Sequence, residues 1–206
     1  MDLTVALTAL AVILPVELPD KTFVATLVLA TRFRPLQVWV GVALAFAVQT
    51  AIAVTVGGLI AQLPRTPVLV LVALLFAVGA VLLWRSAAGA DAEEAQTEAE
   101  VTAKVGAGAQ TGRGHALRAV GTSFVVLFLA EWGDLSQLFT AGLAAQTGDP
   151  VSVFAGAWLA LLLVSGAGAL LGRALLARLR LATVRRIGAA VCAVLAVVSA
   201  AGALGT

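Results

Sequence analysis

Residues 131–137 read Glu-Trp-Gly-Asp-Leu-Ser-Gln and place two carboxylates, a hydroxyl and an amide inside a long apolar segment. A second stretch of this kind, residues 17–22, reads Glu-Leu-Pro-Asp-Lys-Thr and is also flanked by apolar sequence. Ionisable groups within a membrane-spanning segment are costly, and they usually mark a functional site. These two stretches, called here the first motif (17–22) and the second motif (131–137), therefore decide the fold and the function that the sequence predicts.

The composition assigns the chain to a membrane. Of its 206 residues, 61% are hydrophobic and 12% are charged, whereas soluble domains are about 45–50% apolar and about 25% charged. The single cysteine, Cys192, excludes a disulfide framework within the chain. The N-terminus lacks the basic region of a signal peptide, so we expect the first apolar segment to be a retained span. The sequence thus predicts an all-α integral membrane protein that binds no nucleic acid.

Six apolar segments are long enough to cross a bilayer, which takes about 20 helical residues. Spans 1 and 4 contain the two motifs, and we expect both helices to be kinked or broken there. In span 1, Pro15 and Pro19 lack the backbone N–H that a helix uses. In span 4, Gly133 can adopt backbone conformations outside the helical region. The predicted spans are Leu3–Thr31, Leu36–Leu63, Pro67–Trp84, Leu117–Gln146, Val151–Leu176 and Val184–Leu204.

The positions of Lys and Arg predict the orientation. Eleven of them fall between spans 1 and 2, between spans 3 and 4, or between spans 5 and 6, whereas the opposite side holds only Arg65. Both termini should therefore lie outside, and the polar interval should lie in the cytoplasm. We expect a first three-helix repeat at residues 1–85, a flexible cytoplasmic linker at 86–117 and a second repeat at 118–206.

The two halves correspond in register. The offset is 114 residues at the motifs and 115 residues beyond them, so the second half has one additional residue between its motif and the later matched positions. Because each half has three spans, an odd number, the second half should be inverted with respect to the first, as in many secondary transporters. The matched residues are Glu17, Asp20, Thr22, Pro35, Gly41, Thr50 and Gly57 in the first half, and Glu131, Asp134, Ser136, Pro150, Gly156, Ser165 and Gly172 in the second.

The inverted repeat should bring the two motifs together in one cavity near the middle of the membrane. Oxygen ligands of this kind suit Mn²⁺, Ca²⁺ or Mg²⁺. Clustered carboxylates cannot all remain ionised in an empty cavity, so protons and a cation would compete for them. Lys21 could neutralise one acid, and other polar residues within spans, such as Gln49, are expected to bridge neighbouring helices. The predicted cation and proton ligands are Glu17, Asp20, Glu131, Asp134, Thr22, Ser136 and Gln137, the four acids being the metal ligands.

The doubled motif resembles that of the Golgi-type manganese/calcium:proton exchanger family, in particular its bacterial manganese-exporter branch. That family carries Glu-x-Gly-Asp-Lys/Arg-Thr/Ser once in each half. The resemblance implies two inverted halves, cation binding by the motif acids, and a transporter without a resident cofactor, whose substrates are a divalent cation and protons. It also implies a location in a bacterial plasma (inner) membrane. Two residues depart from the pattern, since Pro19 replaces the first glycine and Leu135 replaces the second basic residue.

The sequence therefore predicts an antiporter that exports Mn²⁺, with Ca²⁺ as the second candidate, in exchange for protons. One alternative is an exporter of a basic amino acid or of another metal ion, since an acidic cavity would also accept an organic cation. An enzyme is disfavoured because no nucleophile pattern accompanies the motifs, and a passive subunit would have no use for buried acids. The expected partners are the transported ions and the lipid bilayer, with a homodimer as a candidate assembly.

Overall fold

The computed structural model describes residues 1–17, 21–89, 113–176 and 181–205, together with residues 96 and 99. Most of the predicted linker, residues 90–112, therefore lies outside the described residues. The described ranges form α-helices and a short 3₁₀ turn, Ala87–Gly89. The helices are α1 (Leu3–Glu17), α2 (Lys21–Arg32), α3 (Pro35–Ile60), α4 (Arg65–Ser86), α5 (Arg113–Ala130), α6 (Leu135–Thr147), α7 (Pro150–Leu176) and α8 (Leu181–Leu204).

The helices account for the predicted spans. Four of them, α3, α4, α7 and α8, are each long and apolar enough to cross a membrane. The pairs α1–α2 and α5–α6 are bent by 71° and 75°, and they bring the number of spans to six if each pair forms one broken span. Both breaks fall at the motifs, so the predicted break in spans 1 and 4 is confirmed. The helix α5 begins at Arg113, a few residues before the predicted start of span 4.

Equivalent helices make equivalent contacts. Helix α3 packs against α5 and α6, while its counterpart α7 packs against α1 and α2, and α4 packs along α8. Close helix contacts occur at one pair of matched glycines. A Cβ atom on Gly41 would collide with the Val120 carbonyl, and a Cβ atom on Gly156 would collide with the Ala6 carbonyl. Both halves therefore use a glycine at the same register to let a broken span approach its neighbour.

Helices α3 and α7 are also joined by two indole groups. Trp39 Nε1 donates to the Leu162 carbonyl and Trp158 Nε1 donates to the Ala43 carbonyl, both at 3.0 Å. Trp39 and Trp158 lie near the ends of predicted spans, where an interfacial belt would be expected. Their N–H donors instead bond to the backbone of a neighbouring helix, and both residues are only partly exposed.

Contacts at the helix ends show which ends lie side by side. At one end of the bundle the backbone N–H of Asp2, just before α1, donates to Ser152 Oγ at 2.7 Å near the start of α7. Where α4 ends and α8 begins, Arg185 Nη1 donates to the Ser86 carbonyl at 3.1 Å. That carbonyl belongs to the last turn of α4, where intrahelical partners are missing. The buried Arg185 thus closes the end of α4 just before the linker.

We expect alanine at Gly41 to destabilise the protein, because its Cβ would displace the backbone of α5. Overpacking of this kind typically costs about 1–3 kcal/mol. The matched control is Gly121→Ala on α5, since no atom lies within 4 Å of a Cβ built there. Thermal unfolding of the detergent-solubilised variants measures the difference. Equal melting temperatures for the two variants would contradict the close approach of α3 and α5.

A second, pH-dependent effect on the stability of the folded protein is expected at Asp149. Its carboxylate accepts hydrogen bonds from the side chain and the backbone N–H of Ser152, and these bonds lower its pKa below the ordinary 3.8. Its stabilising contribution should be complete above that ordinary value and should disappear as the pH falls through the lower pKa of the folded protein. We expect Asp149→Ala to lower the melting temperature at neutral pH, and this deficit should shrink in strong acid. A deficit that is constant over the whole pH range would contradict the assignment.

Candidate functional site

The second motif forms the break between α5 and α6. Helix α5 ends at Ala130, a turn follows, and α6 begins at Leu135. Gly133 has a φ of +80°, in the left-handed region where side chains other than glycine are strained. Asp134 is extended, with φ −69° and ψ 164°, and occupies the N-cap position of α6. The glycine therefore reverses the helical path, and the aspartate starts the next helix at a new angle.

The amide of Gln137 supports this turn from inside the motif. Its Nε2 donates to the Glu131 carbonyl, and its Oε1 accepts a hydrogen bond from the Gly133 N–H at 3.3 Å. Backbone groups released by a break inside a membrane must find partners within the protein. The structure thus gives Gln137 a role in holding the break. Its predicted role as a ligand remains a prediction.

The carboxylate of Asp134 is not used for capping. An aspartate at an N-cap usually accepts a hydrogen bond from the first turn of its helix, but Asp134 makes no such side-chain bond. Its Oδ2 atom is buried and has no hydrogen-bond partner in the described part of the chain. The oxygen lies at the N-terminal end of α6, where the first backbone N–H groups have no intrahelical partner. It is therefore an acceptor that a proton or a cation could occupy.

The first motif has corresponding features. Glu17 is the last residue of α1 and is 1% exposed, and its counterpart Glu131 is 4% exposed. Thr22 is buried near the start of α2, and its Oγ1 finds no hydrogen-bond partner among the described residues. Its counterpart Ser136 is also buried. Asp20 lies outside the described residues, as does the side chain of Lys21.

The residues of the two motifs share a pattern of backbone support. Thr26 Oγ1 donates to the Thr22 carbonyl and Thr140 Oγ1 donates to the Ser136 carbonyl, each at 2.7 Å. These bonds are related by the offset of 114 residues that relates the motifs. The two broken spans also contact each other, since α1 packs against α6 and α2 packs against α5.

The predicted metal cluster includes a residue that the structure does not describe. Among the described residues, no group of three or more His, Cys, Asp or Glu side chains is arranged to hold a metal ion. Three of the four predicted acids, Glu17, Glu131 and Asp134, belong to the described residues, whereas Asp20 does not. The meeting of all four carboxylates around one cation therefore remains a prediction.

A polar residue outside both motifs contacts the second break. Gln49, in the middle of α3, is 2% exposed, and its Nε2 donates to the Phe128 carbonyl at 3.0 Å. The expectation that Gln49 bridges neighbouring helices is confirmed. That the bridge would reach the end of α5 could not be predicted from the sequence, because it depends on how the helices are rotated. The available signal was a long amide within a largely apolar span.

Known proteins match most of the chain. The family model described as divalent cation/proton antiporter GDT1 matches residues 5–91 and 119–206, so it leaves out only the first residues and the polar interval. The GDT1-like protein sll0615 of Synechocystis sp. is 34% identical over 193 residues, which cover 89% of this chain and 90% of that protein. No solved structure gives a significant match.

Plant proteins are similar as well. The GDT1-like protein 4 of Oryza sativa subsp. indica is 30% identical over 87% of this chain and 67% of that protein. The chloroplastic protein PAM71 of Arabidopsis thaliana is 31% identical over 68% of this chain, and the match covers 41% of its own length. The resemblance inferred from the two motifs is thereby confirmed at the level of the family. The chain belongs to the GDT1 family of divalent cation/proton antiporters.

Proposed function

We propose that this protein exports Mn²⁺ from the cytoplasm in exchange for protons, with Ca²⁺ as the second candidate substrate. The observation that carries the proposal is the burial of Glu17 and Glu131 at the equivalent breaks of two broken spans. A helix with a regular backbone could bury an acid without breaking. A break at each acid, by contrast, brings carboxylates and released backbone groups to the same place, as a cation site requires.

The chemistry of the motif side chains favours the exchange of a divalent cation for protons. Carboxylate, hydroxyl and carbonyl oxygens are hard ligands, which suit Mn²⁺ and Ca²⁺ better than metals that prefer thiolates. A buried carboxylate is unstable as an isolated anion, so it is stabilised either by a proton or by a cation. Binding of the metal should therefore release protons, and binding of protons should release the metal. This competition is the physical basis of antiport at one site.

Alternating access is supported by the similarity of the halves. Gly41 lies beside Val120 and Gln49 beside Phe128, so α3 and α5 run in the same direction. In the other half Gly156 lies beside Ala6 while Gly168 lies beside Phe23, so α7 runs in the same direction as α1 and α2. These parallel pairs, with a matched break in each half, support an inverted repeat that could expose the site to either side in turn.

The proposed site contains the acids Glu17, Asp20, Glu131 and Asp134, completed by the hydroxyls of Thr22 and Ser136 and the amide of Gln137. In the empty state Lys21 would neutralise one acid. Because Leu135 supplies no second positive charge, the empty site should hold more protons, or bind its metal more tightly, than a site with two basic residues. The distribution of Lys and Arg supports an orientation with both termini outside and the linker in the cytoplasm, and we place the protein in a bacterial plasma membrane.

The proposal is tested with purified protein in liposomes, where Mn²⁺ uptake is followed with and without an imposed pH gradient. We expect the gradient to drive uptake, and we expect Glu17→Gln and Glu131→Gln to reduce the initial rate at least about tenfold, because each removes a titratable ligand. The control variant is Asp2→Asn, which removes a carboxylate far from the motifs. It retains the oxygen that accepts hydrogen bonds from the Thr4 and Val5 N–H groups.

Two results would contradict the proposal. Uptake that does not depend on the pH gradient would indicate a channel or a uniporter. Full activity in both glutamine variants would show that Glu17 and Glu131 are not ligands of the transported cation. Competition with Ca²⁺ and with lysine then identifies the substrate class. Inhibition by lysine alone would favour the exporter of a basic amino acid.

A further inference from the structure

The side-chain amide of Gln49 has a fixed orientation. It lies in the middle of α3 and is almost completely buried. The Phe128 carbonyl can only accept a hydrogen bond, so the group 3.0 Å from it must be the NH₂ end of the amide. The other end, Oε1, is therefore fixed as well. It is buried and has no hydrogen-bond partner within the described ranges.

This amide lies at the level of the second break. Phe128 is in the last turn of α5, and helix carbonyls point toward the C-terminal end of their helix. Glu131 follows three residues later, about 4.5 Å further along the axis at 1.5 Å per residue. Gln49 Oε1 is thus an oxygen acceptor beside the turn that carries Glu131 and Asp134.

The repeat does not require an amide here. The residue that corresponds to Gln49 at the offset of 115 is Val164, which is buried in α7. Val164 thus puts an apolar side chain at this register of α7. The repeat as such does not call for a glutamine in α3, and the polar group of Gln49 has no counterpart at the matching position of the other half.

We propose that Gln49 is a further ligand of the transported cation. Its Nε2 holds the end of α5, and its Oε1 supplies a neutral oxygen beside the carboxylates of the second motif. The inference rests on the proposed exchange function. A neutral oxygen strengthens cation binding without adding a group that protons can occupy, so Gln49 would shift the competition toward the metal.

Three variants distinguish a residue that binds the cation from one that only hydrogen-bonds α3 to α5. Gln49→Met keeps the size of the side chain and removes both polar ends. Gln49→Glu keeps an oxygen, loses the NH₂ group and adds a titratable carboxylate. The matched control is Thr55→Val on the same helix, because Thr55 is exposed and its hydroxyl bonds only to its own helix, at the Ala51 carbonyl.

Mn²⁺ affinity is measured in two ways, as the KM of uptake into liposomes and as equilibrium binding to solubilised protein. We expect Gln49→Met to raise the KM about tenfold with a smaller change in kcat, and we expect Thr55→Val to leave both unchanged. Gln49→Glu should bind Mn²⁺ more tightly than Gln49→Met at alkaline pH and should lose this advantage in acid. Its binding should therefore depend more steeply on pH than that of the wild type.

Other outcomes would overturn the inference. If Gln49 is only a bridge, Gln49→Glu and Gln49→Met should have the same Mn²⁺ affinity at alkaline pH, where neither side chain can donate a hydrogen bond to the Phe128 carbonyl. Melting temperatures show whether each variant is folded, and Gln49→Asn replaces Gln49→Met in the comparison if the latter is not. A wild type without pH-driven Mn²⁺ uptake would reject the proposed function and the ligand with it. Wild-type exchange combined with an unchanged KM in Gln49→Met would reject the ligand alone.

Discussion

The structure depends on how two broken helices satisfy their backbones. Inside a bilayer no water is available for released N–H and C=O groups, so an irregular segment persists only where protein groups replace the missing bonds. At the second break Gln137 supplies a donor and an acceptor, while Gln49 supplies a donor from the neighbouring helix α3. This arrangement allows the chain to turn at Glu131 and Asp134. The same turn leaves an oxygen of Asp134 without a partner in the described structure.

The sequence favours the two breaks in different ways. In the first half Pro15 lies in the last turn of α1, which continues to Glu17, and Pro19 lies outside the described residues. Each proline lacks a backbone donor, so the sequence itself disfavours a continuous helix here. In the second half Gly133 permits the turn but does not impose it, because glycine can also remain helical. The amides of Gln137 and Gln49 then stabilise the turned conformation by bonding to backbone groups that a continuous helix would use.

Much of the fold could be predicted from the sequence, because the strongest signals are local. The lengths of the apolar segments predicted the spans, and Gly133 predicted the break in span 4. Pro15, by contrast, lies within α1, which continues to Glu17, so the break in span 1 comes after this proline. The partners across helices could not be predicted. Trp39 and Trp158 were expected at the interface, but which carbonyl an indole reaches depends on helix rotation and separation. The hydrogen bond from Gln49 to the Phe128 carbonyl could not be predicted for the same reason. At the site, the burial of Glu17 and Glu131 is confirmed, while the four-acid cluster remains a prediction because Asp20 lies outside the described residues.

The balance between charged and neutral oxygens should set the pH at which a cation displaces protons. Each carboxylate attracts the metal, but it also binds a proton, so adding acids raises both affinities together. In the proposed site the hydroxyls of Thr22 and Ser136 and the carbonyl oxygen of Gln49 would bind the cation without taking up protons. The absence of a basic side chain at Leu135 would leave more negative charge in the site, which raises the affinity for protons and for the metal together. A neutral oxygen from α3 would strengthen metal binding alone, so the amide outside the motif would shift the balance toward the metal.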